Sequence, residues 1–421
     1  MTEESSPQQG SIPTEWQALL PKIEAATHFY PRPPADFDPM KLSDDGVDSQ
    51  NRRMEDYGLP PRPDKVRFPV RHAFWEKMFS REGSPEPVTF IPASFQYEHV
   101  EVDFAQAEAK SLGQVEVKSF GQGKGSSFLP FRRFFRARRI GKGVAGHDTS
   151  VNWCGAYVTA HDGRIITEIH GSWRVPRVDV PDGTQVTELK PHEELRCSSW
   201  LGLDGQRGYL DASLPQIGTS HFVKRLKEGV EREPRFGVWW QWWLRGVPNP
   251  PPIKLPLEVE AGDEVMSSLF VVNSTHVKYL IVNHTKGVVC TPFKETEPSS
   301  YLSGVLGTPP LADIPVRVSG ATGEWITERP VNWTTGEPDN LPFFEDVVFE
   351  DCHVVLGRAP NVDEREEQPL GTQLINATRV DKDVPRTVTV ARAERRGPGT
   401  FNTSFIGKPT KIPGGAFKPG Q

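Results

Sequence analysis

The common arrangements of reactive side chains are missing from this sequence, which narrows its chemistry. The four cysteines, Cys154, Cys197, Cys290 and Cys352, show no CxxC spacing, and the 11 histidines form no HExxH-type cluster. A Gly-x-Ser-x-Gly elbow is absent, and Gly121-Gln122-Gly123-Lys124-Gly125 lacks the strand and helix context of a phosphate-binding loop. Metal and nucleotide cofactors are therefore not indicated. The chain does offer a carboxylate and a primary amide in distinctive settings. Glu324 stands in Gly323-Glu324-Trp325-Ile326-Thr327-Glu328, and Gln216 in Pro215-Gln216-Ile217-Gly218, shortly after Ser199-Trp200-Leu201-Gly202-Leu203-Asp204-Gly205. A carboxylate whose pKa lies near the working pH can take a proton from water and return it to a leaving amine. A primary amide can donate to an oxygen on which charge develops, an effect worth about 3 kcal/mol, without itself titrating. Taken alone, a strand Glu is commonly the solvent-facing half of its strand, and a Gln after proline a loop residue.

The order of the motifs changes that balance. Asn152-Trp153-Cys154-Gly155-Ala156, Trp200 to Gly205, Gln216 with Gly218, Val238-Trp239-Trp240-Gln241-Trp242-Trp243, Gly262-Asp263, Asn283-His284-Thr285-Lys286-Gly287, Gly323 to Glu328 and Phe349-Glu350-Asp351-Cys352 follow one another at plausible spacing. Over about residues 150–405 this series resembles the glutamic peptidases, or eqolisins, acid endopeptidases with one catalytic glutamine and one catalytic glutamate. The resemblance implies that Glu324 is the general base and acid and that Gln216 is the oxyanion donor. It also implies a two-sheet, jelly-roll-like sandwich. One departure from the family pattern bears on the chemistry: Gln241 stands where a carboxylate is usual between the aromatic residues. An amide there keeps the hydrogen bonding but loses the titration, so Gln241→Glu is expected to raise activity in acid.

Period-two geometry sends Trp239, Gln241 and Trp243 to one face of their strand and Trp240 and Trp242 to the other. Aromatic walls with a polar group between them suit an extended peptide or a sugar chain, and the alternative for either face is core packing. Trp153 and Trp200 carry the same two readings. Asp204, grouped with them as a substrate-binding candidate, reads equally as an Asp-Gly turn residue.

Short alternating runs bounded by Gly, Pro, Asn and Asp recur beyond residue 150, and helical periodicity is hardly visible. The fold class is therefore all-β, a two-sheet antiparallel β-sandwich of concanavalin-like or jelly-roll-like kind. The organisation expected is a disordered Pro-rich extension over 1–64 with one short helix near Trp16–Ala26, and a small segment with a basic linker over 65–143. The sandwich follows over 144–407, then a loose tail over 408–421. Within 65–143, His72–Phe79 reads as a short helix and Val88–Ile91 as a strand. Residues 121–143 carry seven Lys and Arg and no Asp or Glu, interleaved with phenylalanines. A solvated linker, a pro-segment ending at basic residues and a nucleic-acid contact compete there, and the net charge of −6 disfavours the last.

No apolar run is long enough for a membrane span, and the polar stretch Met1–Gln9 does not read as a secretory signal. The partners implied are a polypeptide substrate, no nucleic acid and no membrane, with the chain acting as a monomer. Two functions stand at this point: an acid endopeptidase, and a non-catalytic lectin-like binding module in which Gln241 marks lost chemistry. A glycosidase would need a second well-placed carboxylate.

Overall fold

The structure, a computed structural model, describes residues 14–43, 50, 52–81, 86–97, 147–181, 194–206, 213–225, 232–244, 249–302, 317–330, 339–360, 362–368, 373–380 and 387–406. Alternating apolar residues bounded by turn formers become thirteen main strands. These are β1 (Trp153–Thr159), β2 (Ile165–Arg174), β3 (Glu194–Leu203), β4 (Ser213–Arg225), β5 (Arg232–Leu244), β6 (Glu264–Asn273) and β7 (His276–Asn283). After them come β8 (Val288–Thr296), β9 (Thr322–Glu328), β10 (Val347–Gly357), β11 (Gln373–Val380), β12 (Thr387–Gly397) and β13 (Thr400–Phe405).

One layer runs β5-β4-β3-β9-β1-β11, with every neighbour antiparallel. The other runs β10-β2-β6-β7-β8, also antiparallel throughout. Strands β12 and β13 carry the hydrogen bonding from β11 round to β10, so the sandwich is one long sheet folded back on itself. Leu201, Ile217, Trp240 and Trp325 from the first layer meet Ile169, Trp173, Leu269, Tyr279, Phe293 and Val354 from the second in the main core. Two indoles stitch the layers: Trp325 Nε1 donates to the His170 carbonyl at 2.9 Å, and Trp173 Nε1 to Thr219 Oγ1 at 2.9 Å. The same core encloses the Glu295 carboxyl, which accepts from the hydroxyls of Tyr279 at 2.9 Å and Tyr301.

The described residues between 14 and 64 are built into the fold, unlike the disordered extension expected over 1–64, and those up to 97 join them. Thr27–Phe29 pairs antiparallel, and Thr89–Ile91 parallel, with β8, while Gln96–Tyr97 extends the β5 edge through Ile253–Leu255. Both open edges of the folded sheet are thereby covered, which protects strand edges from pairing with other chains. The helix Pro69–Phe79 lies over the outer face of the second layer, where Phe74, Trp75, Met78 and Phe79 form a second cluster with Met266, Phe270, Leu280 and Val282. Arg71 anchors it through Glu168 at 2.6 Å and Asp363 at 2.8 Å. The Pro-rich composition disguises this: Trp16, Leu19 and Ile23, at helical spacing, enter the main core, whereas Phe37, Leu42 and Met54 are spread without periodicity and join the second cluster. They dock on a finished sheet and need no core of their own. Helices over Thr14–Gln17 and Leu20–Ala25, with Pro21 in the first turn of the second, occupy the place expected for one short helix. The basic stretch 121–143 and the tail 408–421 lie outside the described residues.

Candidate active site

Glu324, Gln216 and Gln241 come from three strands and fall in one row. Register pairs Glu324 of β9 with Gly202 of β3, Gly202 with Gln216 of β4, and Gln216 with Gln241 of β5. Directly paired residues point to the same face. The Glu324 and Gln216 backbones, two strands apart, are therefore separated by roughly 10 Å. The residue between them is a glycine. A Cβ at Gly202 would come within 2.8 Å of Leu214 and 3.1 Å of Trp200, so glycine is required there because those two side chains lie across it.

The next row on this face carries the aromatic wall. Trp200 pairs with Gly218, and Gly218 with Trp239. An added Cβ on Gly218 would lie 2.4 Å from Trp200 Cβ, which explains the Gly two residues after Gln216: the tryptophan lies across it. Trp153, Tyr157, Trp200, Leu214, Trp239, Ile326 and Ile375 form one buried cluster, with Trp243 half-buried against it. Trp240 and Trp242 point into the main core, as their alternation requires. Trp153, Trp200, Trp239, Gln241 and Trp243 thus share the face with Glu324 and Gln216.

Asp204 is placed differently. It sits at φ 64° and accepts at its carboxylate from Ser319 N, Ser319 Oγ, Gly320 N and Ala321 N. Those bonds tie down the chain that leads into β9, so Asp204 fixes where the Glu324 strand begins.

Around Glu324 the polar contacts are unequal. Oε1 accepts from the Gln206 backbone N–H at 2.9 Å and from the Thr322 hydroxyl, whereas Oε2 is buried without a partner. Gln216 shows the same asymmetry: Nε2 donates to Gln241 Oε1 at 3.1 Å, and its own Oε1 is buried without a partner. Unsatisfied buried polar atoms are rare and costly in folded proteins. Both oxygens belong to one row, on either side of Gly202.

Burial sets the charge state of the carboxyl. Desolvation pushes Glu324 up from 4.5 to about 8; the Thr322 hydroxyl and the Gln206 and Gly205 N–H groups oppose the rise, and the Asp204 carboxyl adds to it. Glu324 is therefore protonated in acid and at neutrality.

Glu328, which the sequence reading did not single out, performs a bracing task on the same face. It accepts from the indoles of Trp153 at 3.1 Å and Trp200 at 2.9 Å, and from Asn152 Nδ2 at 3.1 Å. The two indoles meet edge to face at 5.1 Å. Desolvation lifts Glu328 to about 7 against those three donors. Asn152, Trp153 and Glu328 all stood inside the motifs, but their bonding crosses from β1 to β9 and becomes visible only when those strands pair. Thr322, Gln206 and Gly202 were missed for the same reason.

The four cysteines are buried free thiols, with no disulfide between them, and burial holds Cys154 up at about 12. A cavity of about 410 Å³, lined by Gln96, Lys254, Glu258, Glu260 and Lys286 among others, is separate from the row and includes none of its residues.

The buried carboxyls make fold stability depend on pH. Glu295 and Glu324 are raised to about 8 and Glu328 to about 7, chiefly by desolvation. A raised carboxyl stabilises the fold fully below its unfolded value of 4.5, and that contribution is lost as pH climbs through the folded value. His170, His221 and His353 are buried with depressed pKa, so their contribution is present above 6.5 and lost as pH falls. The two sets oppose each other below 6.5; above it the carboxyls dominate, opposed as pH nears 8 by Lys278, which burial lowers to about 8. The unfolding midpoint is therefore expected to drop between pH 6.5 and 8, at up to about 1.4 kcal/mol per pH unit for each carboxyl. Denaturant titrations at the two pH values check this, and Glu295→Gln should weaken the slope. An equal or higher midpoint at pH 8 contradicts it.

Comparison with known sequences decides the lineage: residues 151–392, more than half of the chain, match the model of the Peptidase A4 family. The chain belongs to the Peptidase A4 family. The match spans every strand that carries the row of Glu324, Gly202, Gln216 and Gln241. Among solved structures, scytalido-glutamic peptidase with a transition state analog inhibitor is similar at 17% identity and TM-score 0.41, over 61% of this chain and 98% of that one. SCP-B, a member of the eqolisin family in a complex with the tripeptide Ala-Ile-His, is similar at 16% and 0.40, over 61% and 98%. Aspergilloglutamic peptidase from Aspergillus niger is similar at 13% and 0.35, over 50% and 99%. No curated protein matches the chain. Membership of the Peptidase A4 family rests on the sequence match and implies a polypeptide substrate. Among the described residues no helix is long and apolar enough to cross a membrane.

Proposed function

We propose that this Peptidase A4 protein is an endopeptidase of the glutamic type that hydrolyses peptide bonds in acid, with Glu324 and Gln216 as its catalytic pair. The observation that carries this reading is the pair of unpartnered buried oxygens, Glu324 Oε2 and Gln216 Oε1, on one row with Gly202 between them. A water that donates to both oxygens would have proton-transfer capacity on the Glu324 side and amide hydrogen bonding for a scissile carbonyl on the Gln216 side.

The raised pKa sharpens the role of Glu324. An ordinary carboxyl would titrate near 4.3; this one keeps its proton to about 8. Starting protonated, it gives the proton on Oε2 to the amide nitrogen of the substrate, and that same oxygen takes a proton from the attacking water, because Oε1 is held by Gln206 N–H and the Thr322 hydroxyl. The water oxygen bonds to the carbonyl carbon, the carbon–nitrogen bond breaks, and the amine leaves with the transferred proton. Glu324 ends as it began. Gln216 gives one Nε2–H to Gln241, and its second N–H donates to the carbonyl oxygen as it gains charge, while its amide is unchanged across the acid range. Activity requires the protonated carboxyl, so it is retained in acid and lost as pH rises through about 8.

Incubation with an unfolded polypeptide in acid tests the reading. Internal cleavage that pepstatin does not inhibit is the expected result, since no pair of aspartates does the chemistry. Absence of cleavage by the folded protein would favour the binding-module alternative, and strong pepstatin inhibition would remove the glutamic assignment.

A further inference from the structure

The direction in which Gln216 faces is set from outside the catalytic pair. Gln241 Nε2 donates to the Pro250 carbonyl at 2.7 Å, and Gln241 Oε1 accepts from Gln216 Nε2 at 3.1 Å. A backbone carbonyl can only accept. The reverse orientation of Gln241 would set oxygen against oxygen at hydrogen-bond distance, so Pro250 dictates that the Gln241 oxygen faces Gln216. Gln216 must then present its NH₂ group to Gln241 and turn its own oxygen elsewhere. Pro250 is itself pinned, because the Asn249 side chain accepts from Leu244 N at 2.7 Å and donates to the Leu244 carbonyl at 2.8 Å.

We propose that Gln241 is the positioning residue that fixes the orientation of the Gln216 amide, and that as an amide it does so at any pH, whereas a carboxyl in its place would do so only while protonated. A protonated carboxyl could donate to Pro250 and accept from Gln216 in the same order. Once ionised it has two acceptor oxygens, and one of them opposes the Pro250 carbonyl. The inference rests on the proposed role of Gln216. It replaces the expectation that an amide at this position weakens the site in acid.

The charged and titratable groups facing Gln241 are few. Glu324 lies on the same row, with Glu328 further along its strand and Asp204 behind it. Lys254, cross-strand partner of Trp239, brings a positive charge from the neighbouring strand. None of them lies in the Pro250–Gln241–Gln216 chain, which holds no titrating group.

The test is the kcat/KM ratio of Gln241→Glu to wild type, followed from pH 3.5 to 7.5. The ratio is expected to fall at least tenfold across that range as the introduced carboxyl ionises. Gln241→Leu, which can neither donate nor accept, is expected to show a ratio that stays constant with pH. A constant ratio for Gln241→Glu would overturn the inference. A second readout does not depend on cleavage. In protein labelled with ¹⁵N-glutamine, the Gln216 side-chain NH₂ signal, identified by its loss in Gln216→Ala, should stay put with pH in wild type and titrate in Gln241→Glu. A Gln216 signal that ignores pH in that variant overturns the inference even if the enzyme is active. A titrating signal without any cleavage supports it and removes the proposed function instead.

Discussion

Glu324→Gln is expected to lower kcat by at least about two orders of magnitude while leaving the protein folded. Glutamine keeps the volume of the side chain, and its oxygen can still accept from Gln206 N and the Thr322 hydroxyl. What it removes is the one proton that the proposed reaction passes between water and the leaving amine. The same exchange deletes a buried group held at about 8, so the variant should lose less stability than wild type between pH 6.5 and 8. The two readouts separate chemistry from folding. Near-normal turnover in a folded Glu324→Gln protein would take this residue out of the mechanism.

Gln216→Ala is expected to cost about two to three orders of magnitude in kcat, the usual consequence of losing one oxyanion donor. Its effect on KM should be smaller, because the amide contributes most when charge develops on the carbonyl oxygen. Some stability should also go, about 1–3 kcal/mol, since Gln241 Oε1 loses the donor that now satisfies it. Steady-state kinetics beside a denaturant titration check both parts. A variant that raises KM but keeps kcat would mean that Gln216 holds substrate without stabilising its transition state. Because the two residues act on one event, Glu324→Gln combined with Gln216→Ala should be little slower than the worse single variant.

The strands of the sandwich were legible because their signal is local: alternation between apolar and polar residues, closed by Gly, Pro, Asn or Asp. The division of the tryptophan-rich strand followed from period two alone, and Trp240 and Trp242 indeed point into the main core. Gln216 and Glu324 were legible through the ordered motifs, and the register that aligns them through Gly202 gives those motifs a physical reason. Other features arise only between distant segments. The N-terminal stretch is rich in proline, yet Phe37, Leu42 and Met54 find a ready surface on the second layer, and Trp16, Leu19 and Ile23 join the main core. Glu328 looks like an ordinary strand glutamate until β1 and β3 bring the Trp153 and Trp200 indoles to it. The charge state of Glu324 belongs to the same class. Its pKa is a property of the packing around it, with desolvation as the leading cause.

The most direct test of the central claim is the pH dependence of cleavage of an unfolded polypeptide, measured from pH 3 to 9 for wild type and for Glu324→Gln combined with Gln216→Ala. Wild type is expected to make internal cuts at a rate that holds through the acid range and declines as Glu324 gives up its proton near 8. The double variant, folded by circular dichroism, is expected to make none above background. Cleavage that survives the double replacement, or a folded wild type that cuts nothing at any pH, would contradict the account.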